Sequence, residues 1–347
     1  MFHFHWEIFE AEILKKTIVS TNCEVFTELG DNTPYTIYIT VTPINSNYRN
    51  SKFIGKAEIK WRSKWVAILG DSFASGEGNP DVPYARKYPD GSKSRRRISD
   101  FKAQGEKPVR WLNETCRRSL NSFAVSVFRS FHKRYPESFL SFLACSGASV
   151  EKGILNGPDS QIQRIEEISK IRGSPPDLII MTLGGNDIGF SDILQNPNFI
   201  DKNLGNIDMR FFYASHELDK IGEKFKDLKI RNVLLPLYYD ISRNESGEID
   251  ASCNKLPTIT TNSLTMAVKY IYERLNNLLI SKGNKFGWTI IETVPKLFET
   301  HGICSNDSYI RTIKESIRLQ GNSLGALHPN KQAHEKIATL IRQRLRL

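Results

Sequence analysis

The stretch Trp65–Pro80, WVAILGDSFASGEGNP, constrains this chain more than any other. Trp65-Val66-Ala67-Ile68-Leu69 is a short unbroken apolar run, the pattern of a strand buried on both faces. Gly70-Asp71-Ser72 ends the run, and Gly76, Gly78 and Pro80 keep the next segment from continuing as an ordinary helix. A serine at the carboxyl end of a buried parallel strand stands where open α/β sheets carry their chemistry. The residues alone also allow Ser72 the plain role of a helix cap.

The same punctuation recurs downstream. Phe139–Ala144, Asp177–Thr182, Asn232–Pro236 and Trp288–Glu292 read as further strands. Helical patterns over Ser119–Tyr135, Ser160–Lys170, Phe211–Leu228, Asn262–Leu279 and Gln332–Leu345 alternate with them. Such alternation implies a parallel sheet covered by helices on both faces, here over residues 62–347. Residues 1–61 differ. Tyr35–Val41 and Phe53–Trp61 alternate with period two, so this part reads as a small β-rich module. His3 and His5 read as part of a mobile terminus rather than as metal ligands.

Composition narrows the function classes. In 347 residues no apolar stretch approaches the ~18 needed for a membrane-spanning helix. The net charge of +10 favours anionic surfaces, but no finger, homeodomain or RNA-binding signature accompanies it, so nucleic acid is not an expected partner. No His/Cys cluster has zinc spacing and no phosphate-cradling loop appears, so no cofactor or metal is expected.

Four motifs in order then carry a resemblance. GDSFASGEG around Ser72, ACSGAS around Gly147, LGGNDIGF around Asn186 and LHPN around His328 resemble the signature blocks of the SGNH hydrolases, the GDSL-type esterases and lipases. The resemblance spans roughly residues 65–345, and Cys116-Arg117-Arg118-Ser119 makes it most similar to the secreted actinomycete-type branch. It implies a flavodoxin-like three-layer α/β/α fold whose five-stranded parallel sheet has the order 2-1-3-4-5. It also implies a cofactor-independent serine hydrolase acting on carboxylic esters, as an esterase, a lipase or a phospholipase. Ser72 is then the nucleophile and His328 the base. The Ser72 and Gly147 N–H groups with the Asn186 side-chain amide form the oxyanion hole. Asp71, Glu77 and Asp187 are expected to brace the glycine-rich loops, and His301 and His334 to be structural.

One position departs from the family pattern. Asp-x-x-His is the common form, yet position 325 is glycine in Gly325-Ala326-Leu327-His328. The resembled branch implies a Ser–His dyad in which a main-chain carbonyl, from Gly325 or Ala326, orients the imidazole. An acid from elsewhere in the chain could also take that place, and the missing acid motivates a further alternative, a catalytically impaired protein of this fold that binds lipid or glycan. A G-x-S-x-G match at Gly321–Gly325 is set aside, because no strand precedes it and Pro329 follows at once.

The resemblance implies an extracellular protein. Residues 1–16 nevertheless carry Glu7, Glu10 and Glu12 where the apolar core of a signal peptide belongs, so a cytoplasmic location is the alternative. Export would pair Cys116 with Cys145 and Cys253 with Cys304, leaving Cys23 over. The polar insertion at residues 81–110 is rich in lysine and arginine and leaves the Ser72 end of the first strand. Its Arg95-Arg96-Arg97 run is either a solvated loop or a contact for an anionic lipid surface.

Overall fold

The computed structural model describes residues 2–29, 33–44, 51–60, 62–84, 108–189, 204–253, 255 and 260–347. Arg95, Arg96 and Arg97 lie outside the described residues. The chain resolves into two compact units. One holds Met1–Lys64 with Ser169–Ser174; the other holds Trp65–Ile168 with Pro175–Leu347.

The first unit is an antiparallel sheet of β1 (Phe2–Glu10), β2 (Ile13–Ser20), β3 (Pro34–Pro43) and β4 (Phe53–Lys60), in the order β2-β1-β3-β4. Phe4, Trp6 and Ile8 share one pleat and pair with Val41, Ile39 and Ile37 of β3, while His3, His5 and Glu7 take the other. The terminus is therefore not loose. His3 and His5 are strand residues, and no group of three or more His, Cys, Asp or Glu is arranged to hold a metal among the described residues.

The second unit is built on a parallel sheet. Its strands are β5 (Lys64–Gly70), β6 (Ser138–Phe142), β7 (Leu178–Thr182), β8 (Val233–Pro236) and β9 (Thr289–Ile291). Their order β6-β5-β7-β8-β9 is the 2-1-3-4-5 arrangement expected above. Alternation explains why the strands are apolar throughout. Trp65, Ala67 and Leu69 enter one core with Ile179 and Met181, whereas Val66 and Ile68 enter a second core with Leu178 and Ile180. On the first face α3 (Gln161–Arg172) contributes Ile162 and Ile165, and α4 (Leu204–Asp227) contributes Phe211, Leu218 and Phe225. On the second, α2 (Phe123–Arg134) contributes Phe123, Val127 and Phe131.

Helix α5 (Thr261–Ala267) passes through one π-helical segment, Val268–Glu273, into α6 (Arg274–Phe286), running beyond the expected Leu279. After β9 come α7 (Thr293–Lys296), α8 (Ile313–Gln320) and α9 (Lys331–Leu345). Helix α2 starts later than the periodicity suggests. Ser119 and Ser122 hold the turn before it, the Ser119 N–H donating to the Ser75 carbonyl at 2.8 Å and the Ser122 hydroxyl to the Ala74 carbonyl at 2.6 Å.

Candidate active site

The end of β5 is held from three sides. Gln161 of α3 clasps Gly70, accepting its N–H at 2.7 Å and donating to its carbonyl at 2.8 Å. Asp71 is buried and caps α1 (Ser72–Ser75) by accepting the Phe73 N–H at 3.0 Å. The Thr182 hydroxyl donates to the same carboxylate at 2.7 Å, and the Tyr238 hydroxyl donates to its other oxygen. Ser72 is thus the first residue of a four-residue helix, and its N–H is one of the donors that a helix start leaves without an intrahelical acceptor.

His328 reaches this serine from far along the chain. Its Nε2 lies 2.7 Å from the Ser72 hydroxyl, and its Nδ1 lies 3.0 Å from the Ala326 carbonyl oxygen. A carbonyl only accepts, so Nδ1 carries the proton and donates to it. Nε2 is left as the acceptor of the serine proton. Both ring nitrogens are engaged, and main chain occupies the third place. Leu327, between carbonyl and ring, has a φ of 65°, and this left-handed residue folds the Ala326 carbonyl back onto the imidazole. The Tyr239 hydroxyl donates to the Leu327 carbonyl at 2.9 Å and steadies that turn.

Gly147 and Asn186 stand on the loops that follow β6 and β7. Gly147 has a φ of 83° and a side-chain direction that meets no protein atom within 4 Å, so backbone conformation rather than crowding calls for glycine. The neighbouring N–H groups of Ser146 and Ala148 donate to the Cys116 and Cys145 carbonyls, and among the described residues no acceptor meets the Gly147 N–H. The Asn186 amide donates one hydrogen to the Ala148 carbonyl at 2.9 Å and retains a second.

The flanking acids are braces. Glu77 forms an ion pair with Arg117. Asp187 accepts the Val150 N–H with both oxygens, at 2.9 and 3.1 Å. Burial pushes the Asp187 carboxyl up to about 6, against the pull of the Val150 hydrogen bond. His334 and His301, expected to be structural, are packed into the structure. His334 is buried, accepts the Phe123 N–H at 3.1 Å and stacks on the Phe123 ring; burial pushes it down to about 3. His301 bonds the Asp307 carbonyl at 2.7 Å and stacks on Tyr309. Ser323, in the G-x-S-x-G match, is exposed on the loop after α8, with no strand before it.

A disulfide joins Cys116 to Cys145, next to Gly147, and a second joins Cys253 to Cys304; Cys23 is free. Replacing Cys116 and Cys145 by serine is expected to lower unfolding stability by about 3 kcal/mol. The loop carrying Gly147 loosens with it, so kcat is expected to fall with KM nearly constant. Urea unfolding and steady-state kinetics check this; an unchanged kcat would show that the bridge does not tune that loop.

The sequence profile of the GDSL-like lipase/acylhydrolase family matches residues 66–341. This chain belongs to that family. As a GDSL-like acylhydrolase, it is a hydrolase of carboxylic esters. Its fold is similar to that of phospholipase A1 from Streptomyces albidoflavus NA297, with a TM-score of 0.51 and 20% identity over 82% of this chain and 100% of that one. It is similar also to an extracellular lipase from Streptomyces rimosus, with a TM-score of 0.52 and 18% identity over 81% of this chain and 99% of that one. No curated protein matches the chain by sequence.

Some of the GDSL-like site was not readable from the motifs. Gln161, Thr182 and Tyr238 hold the Ser72 turn from distant positions, and no local pattern marks any of them. The choice of Ala326 over Gly325 as partner of His328 depends on the backbone of Leu327.

Proposed function

We propose that this GDSL-like hydrolase cleaves its ester through an acyl-enzyme on Ser72. His328 takes the serine proton at Nε2 as Oγ attacks the ester carbonyl carbon. The Ala326 carbonyl holds the imidazolium that forms. Negative charge on the former carbonyl oxygen falls to the Ser72 and Gly147 N–H groups and the free Asn186 amide hydrogen. As the tetrahedral intermediate collapses, the leaving alkoxide takes the proton from His328. Water, deprotonated by His328, then releases the acid from Ser72. The observation carrying this reading is the 2.7 Å contact of Ser72 Oγ with a histidine whose other nitrogen is tied to main chain.

The reading extends to lipid esters and to an extracellular setting. Two disulfides favour an oxidising compartment. Val82, Leu112, Leu120 and Leu324 expose apolar side chains on the loops that flank the Ser72 and His328 segments, which suits an acyl chain better than a sugar. Arg95, Arg96 and Arg97 would add attraction to an anionic surface, each contributing about 1 kcal/mol. A fluorophosphonate probe tests the nucleophile by labelling Ser72 and no other serine. Neutralising Arg95, Arg96 and Arg97 is expected to slow hydrolysis on anionic vesicles, to be mimicked by added salt, and to leave a soluble uncharged ester unaffected. Equal effects on both substrates would remove the surface-docking part of the reading.

A further inference from the structure

In a hydrolase with a full triad, a carboxylate grips the imidazole directly. Here the grip is a carbonyl two residues away, so the histidine is only as well aimed as the backbone that carries it. What fixes that backbone against Ser72 lies in a third segment.

Arg311 touches both sides. Its main chain pairs with the histidine loop, the N–H donating to the His328 carbonyl at 2.8 Å and the carbonyl accepting the Leu327 N–H at 2.8 Å. Its guanidinium turns the other way. Nε donates to the Gly78 carbonyl at 3.2 Å and Nη2 to the Asn79 side-chain oxygen at 2.9 Å. Asn79 then closes the circuit, donating to the Pro329 carbonyl at 2.8 Å. The two loops meet so closely here that a Cβ on Gly78 would lie 3.0 Å from the Gly325 carbonyl oxygen and 3.5 Å from His328 Cβ. Gln320 adds a further tie by accepting the Gly78 N–H at 3.1 Å.

This is a costly way to join two loops. Arg311 is 14% exposed, and burial pushes its guanidinium down from its usual value. Among the described residues its ion-pair partner is Glu315, 3.8 Å away, too far for a close pair. A buried cation with an imperfect partner contributes little to stability, so the bonds of Arg311 to the two loops count for their geometry rather than for their strength. The planar fork of an arginine holds two acceptors at once in fixed geometry, whereas a lysine ammonium on its flexible stem does not fix their directions.

We infer that Arg311, relayed by Asn79, is the positioning residue that sets His328 against Ser72 and does at one remove what the absent carboxylate does elsewhere. The inference rests on the reading of Ser72 and His328 as the catalytic pair. A displacement of the base by a fraction of an ångström changes the rate of proton transfer without changing how the ester binds.

The test uses the full chain with a soluble ester and a fluorophosphonate probe. Arg311→Lys is expected to lower kcat about tenfold and Arg311→Met about a hundredfold, with KM within about twofold of wild type. Probe labelling of Ser72 should slow in the same proportion. Asn79→Ala should resemble Arg311→Lys, and the double variant should fall no further than Arg311→Met, because both cut one circuit. Added guanidinium ion should restore part of the rate in Arg311→Ala and none in wild type. If Arg311→Lys and Arg311→Met keep the wild-type kcat and labelling rate while losing thermal stability, Arg311 is scaffold only and the inference fails. If Arg311→Met does not fold, Arg311→Lys decides alone, by kcat at unchanged KM. Wild-type protein that the probe never labels would overturn the Ser72 assignment itself, which separates the two failures.

Discussion

Ser72→Ala is expected to lower kcat for ester hydrolysis by at least about 10⁴-fold and to abolish fluorophosphonate labelling, with no loss of folding stability. Among the described residues the hydroxyl makes one side-chain hydrogen bond, to His328 Nε2, and both residues are partly exposed, so water can take its place when it is removed. His328→Ala should cost about as much, and the double variant little more than either, since nucleophile and base act as a unit. Neither Glu77→Gln nor Asp187→Asn is expected to approach that loss, because both nitrogens of the ring already have partners. Activity at the wild-type level in Ser72→Ala, in protein free of other hydrolases, would remove this serine from the mechanism.

Asp187→Asn is expected to stabilise the fold at pH 8 and to leave it unchanged near pH 3. The carboxyl is raised from 3.8 to about 6 in the folded protein, mainly by burial. The native state therefore holds this proton more tightly than the unfolded chain does. Its contribution is fully present below about pH 4 and is lost as pH rises through about 6. A shift of about two units corresponds to about 3 kcal/mol of destabilisation at pH 8. Asparagine is neutral throughout and keeps an oxygen to accept the Val150 N–H. Urea unfolding at the two pH values measures the difference directly; an equal change at both would show that ionisation is not its source. In wild type both carboxylate oxygens accept the Val150 N–H, three residues from Gly147, and asparagine keeps only one of those acceptors. A fall in kcat of less than about tenfold should accompany the gain in stability.

Legibility tracked how local each determinant was. Trp65–Leu69 and Leu178–Thr182 announced themselves because a strand buried on two faces has no polar positions to disguise it. The four motif blocks lie at the ends of strands or just before the last helix, where sequence and geometry coincide. By contrast β1 and β2 were passed over, although Phe4, Trp6 and Ile8 alternate with His3, His5 and Glu7. Charged residues within the alternation read as terminus when they were the second face of a sheet. The start of α2 was misjudged because Ser119 and Ser122 are held by Ala74 and Ser75, contacts more than forty residues distant in sequence. Arg311 gave no signal for the same reason: its partners Gly78 and Asn79 are 233 and 232 residues away.

The sequence separation of 256 between Ser72 and His328 carries a consequence for how the molecule matures. Strands β6 to β9 all lie within that interval, so the reacting pair joins residues that nearly the whole sheet separates in sequence. Long-range contacts of this kind are expected to form later than local ones, because their loop-closure entropy is lost before the contacts offset it. A partly folded chain in which β5 and β7 had paired before the His328 loop was placed would present the serine without its base. During refolding, recovery of hydrolysis should lag behind recovery of helical circular dichroism, making turnover a clock for the last step of folding rather than for the first.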